Sequence, residues 1–365
     1  MNILFLNSIM YSATNTNVIP EIETIKDTMI YNMCLAFRQM GHNITLVAAS
    51  EYHPVKEEEY DFPVLFFPSS MKNIFLPAVL PFQPELWQYL KKNSDGFDLI
   101  LTSETFAFPT LFAAMLKPSK TVIWQEVTTL QKKFLGIPSF LWYNIFARLI
   151  MRRVKCVIPF SPQAKKFLSG YFKNVTEVVN HGINIDKFRV SETKKRQFIC
   201  VAQLIPRKNV EGIILKFSRL TAIDGYSDFK LYIAGRGEMR TQLEQQAKDL
   251  GIADRVIFTG FLSHDELSGY VRDSCALLVN TRQDLNMHSI RESIASGTPV
   301  VTNLVPTSAA YIRDNQLGIA KIEWDECDLK TIIDNNAYFT QNCVEYRGKL
   351  SNKYAAEKLL YYSKQ

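Results

Sequence analysis

Short apolar runs recurring between helix-patterned stretches constrain this chain more than any other feature. Ile3–Leu6, Ile44–Ala48, Leu99–Thr102, Thr121–Trp124 and Val157–Phe160 are too short for helices and nearly continuous in hydrophobicity. Such runs read as strands buried on both faces, the condition of a parallel sheet covered by helices. Between them lie helical patterns: one ending near Met40 with Gly41 behind it, one over Phe106–Leu116, and one capped by Ser161 and reaching about Leu168. The alternation predicts an α/β fold with a doubly wound parallel sheet.

The second half repeats the pattern. Phe198–Ala202, Leu231–Ala234, Val256–Thr259, Cys275–Val279 and Val300–Val301 read as strands. Asn209 is positioned to cap a helix running to about Leu220, and Gly251 closes the next one. Ser263-His264-Asp265-Glu266 and Ser289-Ile290-Arg291-Glu292 both have the spacing of a capping box, and Gly297 and Pro299 stop the helix that the second would start. Periodicity is lost over His181–Gln197, which places a domain boundary there. A length of 365 residues fits two domains. The expected division is 1–185, then 186–345, with 346–365 as a helix packing back towards the first domain. Glu51–Ser70, with its Glu57-Glu58-Glu59 run, reads as a solvated excursion.

A 47% hydrophobic share marks a folded chain, and a net charge of +6 is modest, so its placement matters more than its size. Ile3 follows Met1-Asn2 directly, without a basic n-region or cleavage pattern, so no signal peptide is expected. Six scattered cysteines fit reduced, buried thiols of a cytosolic protein better than disulfides or zinc. From Val127 to Val175 the chain carries Lys132, Lys133, Arg148, Arg152, Arg153, Lys155, Lys165, Lys166 and Lys173, and neither Asp nor Glu. Asn144, Arg148 and Arg152 make a narrow polar stripe on an otherwise apolar helix. Pro138 and Arg148 argue against a membrane span. Two readings stand: a core helix with a basic edge, or a basic, aromatic surface over 132–155 that rests on anionic lipid. No nucleic-acid-binding module accompanies it.

Several helix N-termini should gather at one edge of the second sheet, where free N–H groups favour anions. Arg207 and Lys208 stand just before one of them, the chemistry of a phosphate site, although a solvated loop pair has the same sequence. Gly235-Arg236-Gly237 lacks the third glycine of a dinucleotide fingerprint, so NAD is not expected. Asp284 stands eight positions before Glu292, both at the carboxyl end of a strand. Glu292 is explained equally by the capping box or by binding a ribose. His288 reads first as a polar residue beside a helix start. No Asp-x-Asp pair or His/Cys cluster suggests a metal, and no nucleophile elbow is present.

Together and in order, these segments resemble the retaining two-domain nucleotide-sugar glycosyltransferases of family 4. The resemblance is carried by Val201–Lys208, Ile233–Gly237, Leu250–Gly260, Glu292–Val301 and the joining segment His181–Phe188. It implies the GT-B fold, two Rossmann-like domains facing across a cleft, with the nucleotide sugar on the second and the acceptor entering from the first. Lys208 matches the lysine of the donor diphosphate, helped by Arg207, and Glu292 the acid on the donor ribose. Gly235 and Gly237 fall in the glycine-bearing donor loop. Gly260, Phe261 and Leu262 match the segment lining the base, and Asn286, Met287 and His288 the loop whose amides face the donor sugar and phosphate. The chain departs from the family at four places. Asp284 replaces the usual Glu, Gln203 replaces the usual diphosphate arginine, Leu285 and Met287 replace the glycines common after the first acid, and Gln125 occupies the place of a histidine near the reacting carbon. The implied activity is transfer of a sugar to a glycan or lipid-linked glycan in cell-surface polysaccharide synthesis, without metal or cofactor. The implied location is the cytoplasm, at the inner face of the membrane. The alternatives are a catalytically degenerate subunit that keeps the nucleotide sugar, or a nucleotide-sugar epimerase or phosphorylase.

Overall fold

The computed structural model describes residues 1–11, 18–131, 136–284 and 287–365. It divides into two compact units, 1–182 with 352–365, and 183–351. The first unit runs β1 (Asn2–Leu6), α1 (Met29–Gln39), β2 (Asn43–Ala49), β3 (Val64–Phe67), α2 (Pro84–Asn93), β4 (Leu99–Ser103), α3 (Phe108–Leu116), β5 (Thr121–Gln125), α4 (Ile137–Trp142), β6 (Cys156–Pro159) and α5 (Pro162–Leu168). Its six strands lie in the order β3-β2-β1-β4-β5-β6, and every pairing is parallel.

The apolar runs are strands for the reason their composition suggests. Ile3, Leu4 and Phe5 are wholly buried, as are Ile100, Leu101, Val122 and Ile123, so both faces of the central strands are covered. Ser161 caps α5 by accepting the Ala164 N–H, and Gly41, at φ 82, follows the end of α1 as expected. The Glu51–Ser70 excursion needs correcting. Val64–Phe67 within it pairs with Leu46–Ala49 as an edge strand. Four half-buried residues beside an acidic run carry too little pattern to stand out, and the neighbouring strand supplies the order.

The second unit runs β7 (Lys195–Val201), α6 (Val210–Thr221), β8 (Lys230–Ala234), α7 (Arg240–Asp249), β9 (Val256–Gly260), α8 (His264–Asp273), β10 (Ser274–Leu278), α9 (His288–Ala295), β11 (Val300–Thr302), α10 (Ala309–Asp314), β12 (Gly318–Ala320), α11 (Glu326–Asp334) and α12 (Asn336–Tyr346). Its strand order is β12-β11-β10-β7-β8-β9, again parallel. β12 is three residues long and escapes any periodicity argument. Cys34, Cys156, Cys200, Cys275 and Cys343 are buried and unpaired as expected, whereas Cys327 is exposed on α11.

The chain then returns to the first unit as α13 (Asn352–Tyr362). Ala355, Ala356, Leu359 and Leu360 join the core made by α1 and the face of β1, β2 and β4. Leu359 is wholly buried there. Leu359→Ala is therefore expected to destabilise the protein by about 2–5 kcal/mol, read as a lower urea midpoint at an unchanged slope.

Candidate functional site

In the second unit the strand order reverses between β7 and β10, because the chain builds β7, β8 and β9 to one side before crossing to β10. Open parallel sheets bind ligands beyond the carboxyl ends of the strands at such a reversal. Arg207 and Lys208 follow β7, in a single 3-10 turn, Pro206–Lys208, that leads into α6. Asp284 follows β10. Across the reversal its carboxylate pairs with both cations, Oδ1 with Arg207 Nη1 and Oδ2 with Lys208 Nζ. The Lys208 and Asp284 side chains are 13% and 15% exposed. Burial, with Arg207 beside it, holds the Lys208 ammonium below the ordinary lysine range.

The two loops are fixed to each other by more than charge. The Arg282 N–H donates to the Arg207 carbonyl at 2.8 Å. Thr281 Oγ1 lies 3.1 Å from that carbonyl oxygen and accepts the Asp284 N–H at 3.2 Å. Asn209 does not cap α6 as its identity suggests. It sits in the left-handed region at φ 52 and makes no capping bond, and its Oδ1 accepts instead from Arg282 Nη2 at 3.0 Å. Arg282 also reaches Glu211 at 2.8 Å. Sequence reasoning passed over this residue, whose only signal is its place two before Asp284 in the same loop.

Gly235 and Gly237 have a local explanation. A Cβ on Gly235 would meet the Ala202 carbonyl oxygen at 1.8 Å, and one on Gly237 the Leu204 carbonyl oxygen at 2.2 Å. Both glycines let the loop after β8 lie against the loop after β7. Gln203 in that second loop is exposed. After β9, Gly260 turns the chain at φ 73 and presents Phe261, 72% exposed, with the Arg236 guanidinium 5.5 Å from its ring centre. Leu262 beside it is half-buried.

The start of α9 corrects the second capping-box reading. The helix begins at His288, behind a buried Met287 that makes no side-chain cap, so Ser289 already lies within the first turn. The Ser263 box, by contrast, is formed in full, with Ser263 and Glu266 exchanging bonds. Glu292 is consequently not occupied in capping. Its carboxylate is 26% exposed and lies 3.9 Å from His264 Nε2. Burial raises its pKa, against the opposing pull of His264 and Arg291. His288 Nδ1 is 3.2 Å from Arg291 Nη2. Leu285 and Asn286 lie outside the described residues.

In the first unit Gln125 ends β5, wholly buried. Its Oε1 accepts the Thr105 N–H at 3.0 Å, and its Nε2 donates to the Val127 carbonyl at 3.0 Å and to Tyr143 Oη at 2.9 Å. With its amide engaged on both sides, Gln125 positions these neighbours rather than presenting a polar atom to a ligand. The basic segment forms α4, then a π-helical turn over Tyr143–Ala147 and a 3-10 turn over Met151–Arg153. Ile137, Phe140, Leu141, Ile145 and Leu149 are exposed along it, as are Arg148, Arg152, Arg153 and Lys155. Lys132, Lys133 and Phe134 lie outside the described residues. Among the described residues no helix is long and apolar enough to cross a membrane.

Comparison with known proteins gives two family matches, "Glycosyl transferases group 1" over residues 183–334 and "Glycosyltransferase Family 4" over residues 27–187. One relative is the alpha-monoglucosyldiacylglycerol synthase of Streptococcus pneumoniae, 26% identical over 50% of this chain and 44% of the relative. Another is the GDP-mannose-dependent alpha-(1-6)-phosphatidylinositol monomannoside mannosyltransferase of Mycobacterium tuberculosis, 27% identical over 47% of this chain and 51% of the relative. The chain thus spans about half the length of the curated relatives it matches. Among solved structures, the lipopolysaccharide outer core galactosyltransferase WaaB is 14% identical with a TM-score of 0.62, each chain covered to 99%. Alr3699/HepE of Anabaena in complex with UDP is 13% identical with a TM-score of 0.62, again covering 99% of each chain. At these identities the likeness is one of fold.

The two boxes give a direct check. Ser263→Ala is expected to cost about 1 kcal/mol, and Ser289→Ala less than about 0.5 kcal/mol, measured by chemical denaturation of the two variants side by side.

Proposed function

This chain belongs to the two-domain GT-B glycosyltransferases of family 4, and from that premise we propose that it moves a sugar from a nucleoside-diphospho-sugar to an acceptor hydroxyl. The transfer is retaining and independent of metal. The acceptor is a glycan or lipid-linked glycan used in cell-surface polysaccharide synthesis. The observation that carries this reading is the pair Lys208 and Arg207 at the reversal of the second sheet, held by Asp284.

As the bond between the sugar C1 and the diphosphate oxygen breaks, its electron pair stays on the diphosphate. Lys208 and Arg207 stabilise that growing charge, the task a divalent cation performs elsewhere. The acceptor oxygen bonds to C1 on the same face, and its proton passes to the departing diphosphate. Asp284 is then the counter-ion that the diphosphate displaces, which gives the chain's shorter acid a defined role. Glu292, free of capping, accepts from the ribose hydroxyls. Phe261 offers its exposed ring to the base, with Met287 and His288 at the start of α9 beside the sugar and phosphate. Gln203 lines the same edge without charge. Gly235 and Gly237 serve by letting the two loops approach.

The relatives named for diacylglycerol and phosphatidylinositol products support a lipid-borne acceptor. The exposed Phe140, Leu141, Ile145 and Leu149 beside Arg148, Arg152 and Arg153 support residence on an anionic bilayer at its cytoplasmic face.

Titration against a panel of UDP- and GDP-sugars tests the site. One member should bind and turn over. Lys208→Ala should lower kcat by roughly a hundredfold or more, and Glu292→Ala should weaken donor binding by about tenfold. Unchanged affinity and turnover in both would remove the assignment. Sedimentation with vesicles tests the surface: binding should require anionic lipid, fall with salt and be lost in the Arg152→Glu, Arg153→Glu double variant.

A further inference from the structure

The groups assigned to the donor all lie in the second unit, but the first unit has its own strand reversal, between β1 and β4. A cavity of about 470 Å³ opens there. It is lined by Ser8 after β1, Glu104 after β4 and Glu126 after β5, with the rings of Trp124, Tyr143 and Phe160 among its walls. This is the position at which a sheet of this topology takes a ligand.

Glu104 is set into the wall unusually firmly. Its backbone occupies the left-handed region, at φ 66, which a non-glycine residue enters at a cost. Its carbonyl accepts from Thr110 Oγ1 at 2.7 Å, and its N–H donates to the Trp124 carbonyl at 3.2 Å. Its Oε1 accepts the N–H of Glu126 at 2.7 Å and of Val127 at 3.2 Å. Oε2 is left with only a 3.4 Å approach to the Val127 N–H. One carboxylate oxygen is thus anchored while the other keeps acceptor capacity at the cavity.

We propose that this cavity holds the sugar-accepting group, and that Glu104 selects an uncharged hydroxyl on a partly apolar carrier while rejecting phosphorylated and other anionic heads. The proposal rests on the transferase reading above and adds to it the charge class of the acceptor. The aromatic walls suit the apolar face of a sugar ring or the start of an alkyl chain. Burial, with Glu126 adding to it, lifts the Glu104 carboxyl to about 7. An alcohol can serve both states, donating to the carboxylate and accepting from the acid. Once Glu104 ionises it repels a phosphate at the cavity, which a second carboxyl group, that of Glu126, also lines.

The test uses the full chain, with octyl glucoside and octyl glucoside 6-phosphate as probes, bound first without donor and followed by tryptophan fluorescence. The neutral glycoside should bind at least tenfold more tightly than its phosphate, and the preference should grow from pH 6 to pH 8 as Glu104 ionises. In Glu104→Gln the preference should shrink severalfold and keep only the pH dependence that the probe phosphate's own second ionisation, at about pH 6, supplies, with nucleotide-sugar affinity unchanged. Where transfer is measured, KM for the neutral acceptor should rise more than kcat falls. Glu126→Gln, at an exposed position, should relax the exclusion of phosphate even where the Glu104 variant folds poorly. Equal or tighter binding of the phosphate by the wild type, or a preference untouched in the folded variants, would overturn the proposal. Loss of nucleotide-sugar binding in the wild type would instead overturn the transferase reading and leave these binding results standing.

Discussion

Parallel strands covered on both faces leave their polar chemistry nowhere to go but the strand ends. In each sheet the central strands are apolar and buried through their middles, and charged residues of the site stand in the loops that follow them. Reversal of strand order then parts two neighbouring loops and makes room between them. Lys208 and Asp284 meet across one such gap, after β7 and β10. Ser8 and Glu104 line the other, after β1 and β4. The same constraint, applied twice, yields one opening that carries cations and one that carries carboxylates.

The cationic opening raises an electrostatic question that packing alone does not answer. Two neighbouring cations, one of them nearly buried, repel each other and lose solvation, and both effects disfavour the empty loop. Asp284 relieves this by contacting both, with Thr281 fixing the loop that carries it. A longer acid at position 284 could reach past the cations towards a ligand, whereas aspartate reaches little beyond them. What looks in the sequence like a weakened version of a family residue is, in the folded chain, the group that makes an adjacent Arg-Lys pair tolerable.

Much of this was legible before any coordinates, for physical reasons. Buried parallel strands announce themselves by continuous hydrophobicity, so the long strands of both units could be placed from composition alone. β3 and β12 could not, because an edge strand of three or four residues takes its order from a neighbour rather than from its own pattern. Ser263 and Ser289 share the same spacing to a following glutamate, yet only the first closes a capping box. The difference lies in where each helix begins, and sequence spacing does not determine that start: α9 begins two residues earlier than a Ser289 cap would place it, behind the buried Met287. Gln125 and Glu104 show the matching limit for site residues. Resemblance pointed to Gln125, whose amide proves to be consumed by Thr105, Val127 and Tyr143. Glu104 carries no motif at all, and its left-handed backbone and the two N–H groups that hold it exist only after folding.

Gln125 and Glu104 nonetheless belong to one arrangement. Gln125 holds Thr105, the residue after Glu104, and its other end fixes the Val127 carbonyl, while the Val127 N–H faces the Glu104 carboxylate. A histidine in place of Gln125 could not accept from Thr105 and donate to two partners at once with the same reach, since each ring nitrogen does one or the other. The glutamine therefore braces the turn that keeps Glu104 strained and its Oε2 available. A departure from the family at one position thus has its physical consequence one residue beyond Thr105's own bond, at the carboxylate that lines the cavity.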